Sequence, residues 1–236
     1  MRALAIIAAI LIALFALIAH FPAAWAAGLF APDEVKSQAR FTGTIWQGSI
    51  IPNEEIGIGP INYAVNAKQL LSGENYIEFD SPGPPLITGQ GSRTQLSTFR
   101  LSGPLQSFKP SDPRLAGFLG DIEIQMTDFT FEPFCASGSG TARTDVLARN
   151  ADYLRWVGPE LSGPVTCREE GLLMAQLSGV QGQNRIEVTL QLSGNGTYRA
   201  DIVTINPEAD IVPFLQGFGF NGNGRRLTLS ETGNWR

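Results

Sequence analysis

The chain has 236 residues, of which 22 are acidic and 17 basic, giving a formal net charge of −5, and its only lysines are Lys36, Lys68 and Lys109. Without a basic stripe it has nothing to neutralise phosphates, which excludes a nucleic-acid partner. The length suits one domain with a real core, and 26 glycines with 15 prolines suit many short strands joined by turns better than a helical bundle.

The first element is "ALAIIAAILIALFALIA", residues 3 to 19, an uncharged run preceded by Arg2 and continued past His20 by "FPAAWAAGLF". Roughly twenty apolar residues span a bilayer as a helix, so the run extended to Phe30 predicts a membrane-inserted helix with length to spare for tilt. "AWA" before Ala27 also fits a signal-peptidase site, but the apolar core of a cleaved signal is usually about 7 to 15 residues, which favours an uncleaved anchor. Arg2 places the N-terminus in the cytoplasm and the remainder outside, in an oxidising compartment. The expected division is residues 1–30 as membrane anchor (or signal peptide) and 31–236 as one β-rich domain on the far side of the membrane.

"FTGTIWQGSI" follows at residues 41 to 50. Under strict alternation Phe41, Gly43 and Ile45 share one face and Trp46 falls on the other, out of phase with its apolar neighbours. Two roles stand open for Trp46. It covers a thin sheet, with Gly43 and Gly48 leaving space for its ring, or it is an exposed aromatic anchor for a partner.

Further along, "DIEIQMTDFTF" starts with Ile122, Ile124 and Met126 in phase and resumes with Phe129 and Phe131 in the opposite phase. One extra residue near Thr127–Asp128 predicts a bulge that bends the strand and keeps both apolar sets inward. "IEVTLQL" sets Ile186, Val188, Leu190 and Leu192 against Glu187, Thr189 and Gln191, and "RLTLS" repeats the pattern with Leu227 and Leu229; these are half-buried antiparallel strands. Leu-Ser-Gly recurs at 71–73, 101–103, 161–163, 177–179 and 192–194, each time where Ser-Gly turn chemistry predicts a turn, at spacings too irregular for a solenoid. Helices are few and short: one capped by Ser111, one starting at Thr144 and stopping at Gly158–Pro159, and one capped by Asn206 with Pro207 in its first turn.

Cys135 and Cys167 are the two cysteines. An even count in an oxidising compartment predicts a disulfide.

Nothing here carries catalysis. His20, the single histidine, lies in the apolar N-terminal segment, so the remainder has no Ser-His-Asp, Cys-His or His-rich metal chemistry. Asp121 with Glu123 and Glu169–Glu170 are carboxylate pairs of the kind a glycosidase needs, but a solvated strand face and a turn account for them. "GSGTA" and "GFGFNGNG" lack the Gly-Lys-Ser/Thr of a phosphate loop, and "NGT" at Asn195 reads as a turn. No catalytic residue, metal site or cofactor is expected.

The order of "FPAAWAAGLF", "FTGTIWQGSI", "INYAVNAKQLLSG", Cys135, "WVGPELSGPVTCREEGLL", "LQLSGNGTYRADIVTINPEADIVPFLQGFG" and "GRRLTLSETGNW" resembles the type II secretion system protein N family, over nearly the whole chain. The resemblance implies a single-pass protein of the bacterial inner membrane with a periplasmic β domain, an accessory part of a machine that exports folded proteins, whose partners are other secretion-system proteins. The family is similar, more distantly, to AsmA-like proteins, whose curved apolar sheets imply lipid as the alternative partner. The expected fold is mainly β: an N-terminal transmembrane helix followed by a curved antiparallel sheet with a few short helices.

Overall fold

A computed structural model of the chain describes residues 2–31, 33–53, 57–108, 115, 117–131, 134–154, 156–168 and 171–234. It is dominated by one open antiparallel sheet of 14 strands. Strands β1 (Ala39–Gly43), β2 (Gln47–Pro52), β3 (Ile61–Val65), β4 (Ile77–Asp80), β5 (Leu86–Gly91), β6 (Gln95–Pro104), β7 (Asp121–Thr130), β8 (Ser137–Thr144), β9 (Leu161–Arg168), β10 (Leu172–Gln181), β11 (Asn184–Ser193) and β12 (Thr197–Ile205) each pair with the next in sequence. β14 (Arg226–Asn234) pairs with β12, and the short β13 (Asn221–Asn223) lies outside it.

The N-terminal segment is two helices rather than one: α1 (Arg2–Ala19) and α2 (Ala23–Phe30). Among the described residues no helix is long and apolar enough to cross a membrane. The expected continuous span to Phe30 fails at Pro22, which lacks the amide needed to continue the helix and instead caps α2 in an extended conformation. α3 (Asp33–Gln38) then leads into β1.

The register aligns one apolar face along the sheet. Phe41 pairs with Ile50, Ile50 with Ile61, Tyr63 with Phe79 and Ile87 with Leu101. The same face continues through Leu101–Ile124, Ile124–Ala142, Leu173–Cys167 and Val188–Ile202. The reverse face carries the other phase as a polar lattice: Arg100 pairs with Glu123 at 2.6 Å, Arg143 with Glu160 at 2.7 Å, and Ser230 donates to Asp201 at 2.6 Å. Asp121 and Glu123, the carboxylates of one strand, belong to this lattice; Glu169–Glu170 lies outside the described residues.

The predicted bulge is present. The pairing of β7 with β8 shifts between Thr127 and Thr130, Asp128 takes a φ of 52°, and Met126 and Phe129 are both buried despite their odd spacing. A second irregularity lies alongside it, where Gly91 of β5 pairs with Leu96 but Gln90 pairs with Thr98.

The two halves of the apolar face are finished differently. From β6 onward it supports two buried clusters. One centres on Met126, Phe129, Cys135, Ala142 and Val165; the other brings Phe118, Leu154, Trp156 and Ile211 down onto Leu161 and Ile186. Across β1 to β5 and their connections the buried apolar side chains among the described residues are only Pro85 and Ile87.

The short helices depart from expectation in detail. α5 (Val146–Arg149) and α6 (Ala151–Leu154) split the predicted single helix, with Asp145 as cap and Thr144 still in β8. α7 (Val212–Gly217) starts at Ile211 with Pro213 in its first turn, because Asn206 adopts a φ of 50° and turns the chain before it can wind. Ser111 lies outside the described residues. α4 (Ala67–Ser72) was not anticipated, although Asn66 accepts from the amides of Lys68 and Gln69 and Gly73 closes it with a φ of 75°.

Three Leu-Ser-Gly segments lie within strands instead of turns. Ser162 pairs with Ser178, so the β9 and β10 copies run antiparallel and each glycine faces the other copy's leucine. A side chain on Gly163 would strike the Gln176 carbonyl, so glycine here serves close strand approach.

Candidate functional site

The sheet meets the N-terminal helices at the turn Thr44–Gln47 between β1 and β2. Gly43 ends β1 with a φ of 86° and pairs with Gly48. Thr44 closes the turn: its amide donates to the Gln47 carbonyl at 2.8 Å, and its hydroxyl accepts from the amides of Trp46 and Gln47 at 3.3 Å. Trp46 therefore stands in a turn, on neither strand face.

From that turn three contacts reach the bend between α1 and α2. The Trp46 indole N–H donates to the Ile18 carbonyl at 3.0 Å. The Ile45 amide donates to the Phe21 carbonyl at 3.0 Å, and Pro22 forms a β-bridge with Thr44. Pro22 has no amide to give the Ile18 carbonyl its regular helical bond; that carbonyl accepts a longer one from the Phe21 amide at 3.4 Å, and the indole adds a second, shorter donor. A fourth contact ties the turn back to the sheet, where the Tyr63 hydroxyl donates to the Thr44 carbonyl at 2.6 Å. Burial holds the Tyr63 pKa above its ordinary value.

Gly43 and Gly48 make room for groups other than the indole. A side chain on Gly43 would meet the Gln47 carbonyl at 2.5 Å, and one on Gly48 would meet the Tyr63 hydroxyl at 2.7 Å. The same device recurs on the apolar face: the Phe79 ring lies over Gly89, its partner on β5, and the Tyr198 ring over Gly233, its partner on β14. The sequence reading missed these pairs; their signal is a glycine at an inward position of a strand.

Behind β2 to β5 the polar face forms a groove of about 780 Å³. Ser49 donates to Asn62 at 2.8 Å, Asn62 to Asp80 at 3.3 Å, and Gln90 to Glu78 at 3.3 Å. Acceptors outnumber cations here, and the described residues contain no group of three His, Cys, Asp or Glu arranged to hold a metal. The arrangement offers hydrogen bonding and shape, and no nucleophile with an adjacent base.

Cys135 and Cys167 are joined, fully burying Cys135 and tying the β7–β8 connection to β9. The bond lies about half a sheet away from Trp46 and belongs to the core beneath β7 to β10.

The family model of the type II secretion system (T2SS), protein N, matches residues 37–230. The chain belongs to that family. No curated protein and no solved structure matches it. The protein N match begins just before β1 and ends within β14, so it covers the sheet and the Trp46 turn and leaves α1 and α2 outside. Membership assigns the chain an accessory role in type II secretion among other secretion-system proteins.

Proposed function

We propose that this protein N family member is a periplasmic binding scaffold, held at the bacterial inner membrane by its apolar N-terminal segment and presenting its sheet to other secretion components. The carrying observation is the clamp between the Thr44–Gln47 turn and the α1–α2 bend, because it couples the sheet to the apolar segment through Trp46, Ile45 and Pro22. A scaffold works by holding a surface in a defined position, and a clamp of this kind suits that work. The polar groove behind β2 to β5 is the surface best suited to a protein partner, since Ser49, Asn62 and Gln90 offer side-chain hydrogen bonds beside the carboxylates of Glu78 and Asp80, a set that suits a partner bringing donors or cations.

A second reading has its own support. The apolar face of β1 to β5 keeps Phe41, Ile50, Tyr63 and Phe79 only half-buried, while the far half of the same face is capped by Phe118, Trp156 and Ile211. An open apolar face of this extent favours an AsmA-like lipid carrier.

Mass spectrometry of material copurifying with the detergent-extracted protein separates the two. Secretion components at near-stoichiometric yield support the scaffold; phospholipid retained through washing, without protein partners, overturns it in favour of the carrier.

A further inference from the structure

We propose that α2 is a lipid-contacting element of its own, lying in the headgroup region of the bilayer with Trp25, Leu29 and Phe30 inserted. This rests on the reading that α1 is lodged in that bilayer.

The argument begins with burial. On α2, Ala23 is buried and Ala26 and Ala27 are half-buried on the side that packs against β1, whereas Trp25, Leu29 and Phe30 are 70%, 68% and 83% exposed. Trp25 and Leu29 are four residues apart and so share a helical face. The side chains turned inward are all alanines, small enough to let α2 approach the sheet, and the large apolar ones are all turned away. Nothing in α2 is charged, and the chain carries no Asp, Glu, Lys or Arg from Ala3 to Pro32.

The occupant follows from continuity. Among the described side chains of α1, those of residues 6, 7 and 9–18 are all exposed, with Ile6, Ile7, Ile10, Leu11, Leu14 and Phe15 each more than half exposed, so these residues show no seam of the kind that a second helix would fill. Its 18 residues rise about 27 Å, a little short of the roughly 30 Å hydrocarbon layer, so a chain lodged there reaches the interface near His20–Pro22. That is where the helix breaks. Tryptophan is the side chain most at home in the headgroup region, and α2 presents one there. Beyond α2 the first charges appear at α3, where Lys36 pairs with Asp33 at 3.0 Å, as expected where the chain leaves lipid for water. The clamp through Trp46 and Ile45 leaves α2 little freedom to swing away, which makes its outward face a fixed part of the membrane-facing surface.

The test uses full-length protein in phospholipid vesicles brominated either near the headgroups or near the bilayer centre. The emission of Trp25 is isolated as the difference between the wild type and Trp25→Phe. A tryptophan reporter for α1, Phe15→Trp on the Trp25→Phe background, is read in parallel. Trp25 is expected to lose most of its emission to headgroup-proximal bromine and little to central bromine, while the Phe15→Trp reporter is quenched from the centre. An unquenched Trp25 beside a quenched Phe15→Trp reporter overturns the proposal and leaves α1 in the bilayer. If neither reporter is quenched, α1 is not in lipid and both readings fall.

Discussion

The indole N–H of Trp46 and the backbone carbonyl of Ile18, 28 residues apart in the chain, meet at 3.0 Å. The bond adds a donor to a carbonyl that Pro22 deprives of its regular helical partner, and fixes the first hairpin against the α1–α2 bend. Trp46→Phe keeps most of the ring and removes the donor, which should cost about 1 kcal/mol. Trp46→Ala also removes a half-buried ring, and should cost about 2 kcal/mol, below the 3 to 5 of a fully buried tryptophan. Thermal melts of the detergent-solubilised chain rank the two; equal melts for Trp46→Ala and wild type would show that the clamp contributes nothing.

The disulfide spans 32 residues. On the chain-entropy model, replacing Cys135 and Cys167 together by serine should lower stability by about 3 to 4 kcal/mol. Denaturant titration of the oxidised protein against the double variant measures it, and coincident midpoints would refute it.

Gly89 and Gly163 should respond differently to alanine. At Gly89 the obstacle is the Phe79 ring, with Cε1 at 2.9 Å, so Gly89→Ala should cost about 1 to 3 kcal/mol as the ring is displaced. Adding Phe79→Ala should then cost less than it does alone. At Gly163 the obstacle is the Gln176 backbone, which no side-chain truncation removes, so Gly163→Ala should resist rescue by Leu177→Ala. Additive effects at Gly89 and Phe79 would show that the ring does not use the space.

Acid should weaken the tie between the start of β7 and the end of β8. Burial works against the Asp145 charge, but the Asp121 amide at 2.7 Å and the Arg149 guanidinium at 2.9 Å outweigh it and hold its pKa below the usual value. Asp201 is lowered by the Arg199 and Ser230 hydrogen bonds. A carboxylate with a depressed folded-state pKa adds stability above its unfolded pKa, near 4, and that share is lost as pH falls through the lower folded value. Melting temperature should therefore fall below about pH 4, and Asp145→Asn should flatten the dependence. An unchanged pH profile in Asp145→Asn would remove this carboxylate from the account.

What could be read in advance was local. The phase change at Thr127–Asp128 announced the bulge because burial of Met126 and Phe129 leaves its mark on consecutive residues. The cysteine pairing followed from the even count and the compartment expected from the apolar N-terminal segment. The break at Pro22 was also visible, yet the apolar composition on both sides masked it. The Leu-Ser-Gly segments misled because a glycine that closes a turn and a glycine that admits a neighbouring strand look the same in one dimension; Gly163 shows its purpose only beside Gln176. Trp46 could not be placed for the same reason, since its partner Ile18 belongs to another element and hydrogen-bonds through its backbone, which carries no sequence signature.

The strand order has a consequence for assembly. From β1 to β12 every strand lies beside the one just before it, and only the exchange of β13 and β14 at the far edge departs from this. A chain delivered N-terminus first can add each strand to a finished neighbour, and no segment has to wait for a distant partner before its edge is satisfied. Loop-closure entropy is met in small instalments, which is the condition for rapid folding despite an all-β architecture. The Cys135–Cys167 bond fits this sequence, because both thiols are present once β9 has been laid down, with five further strands still to come.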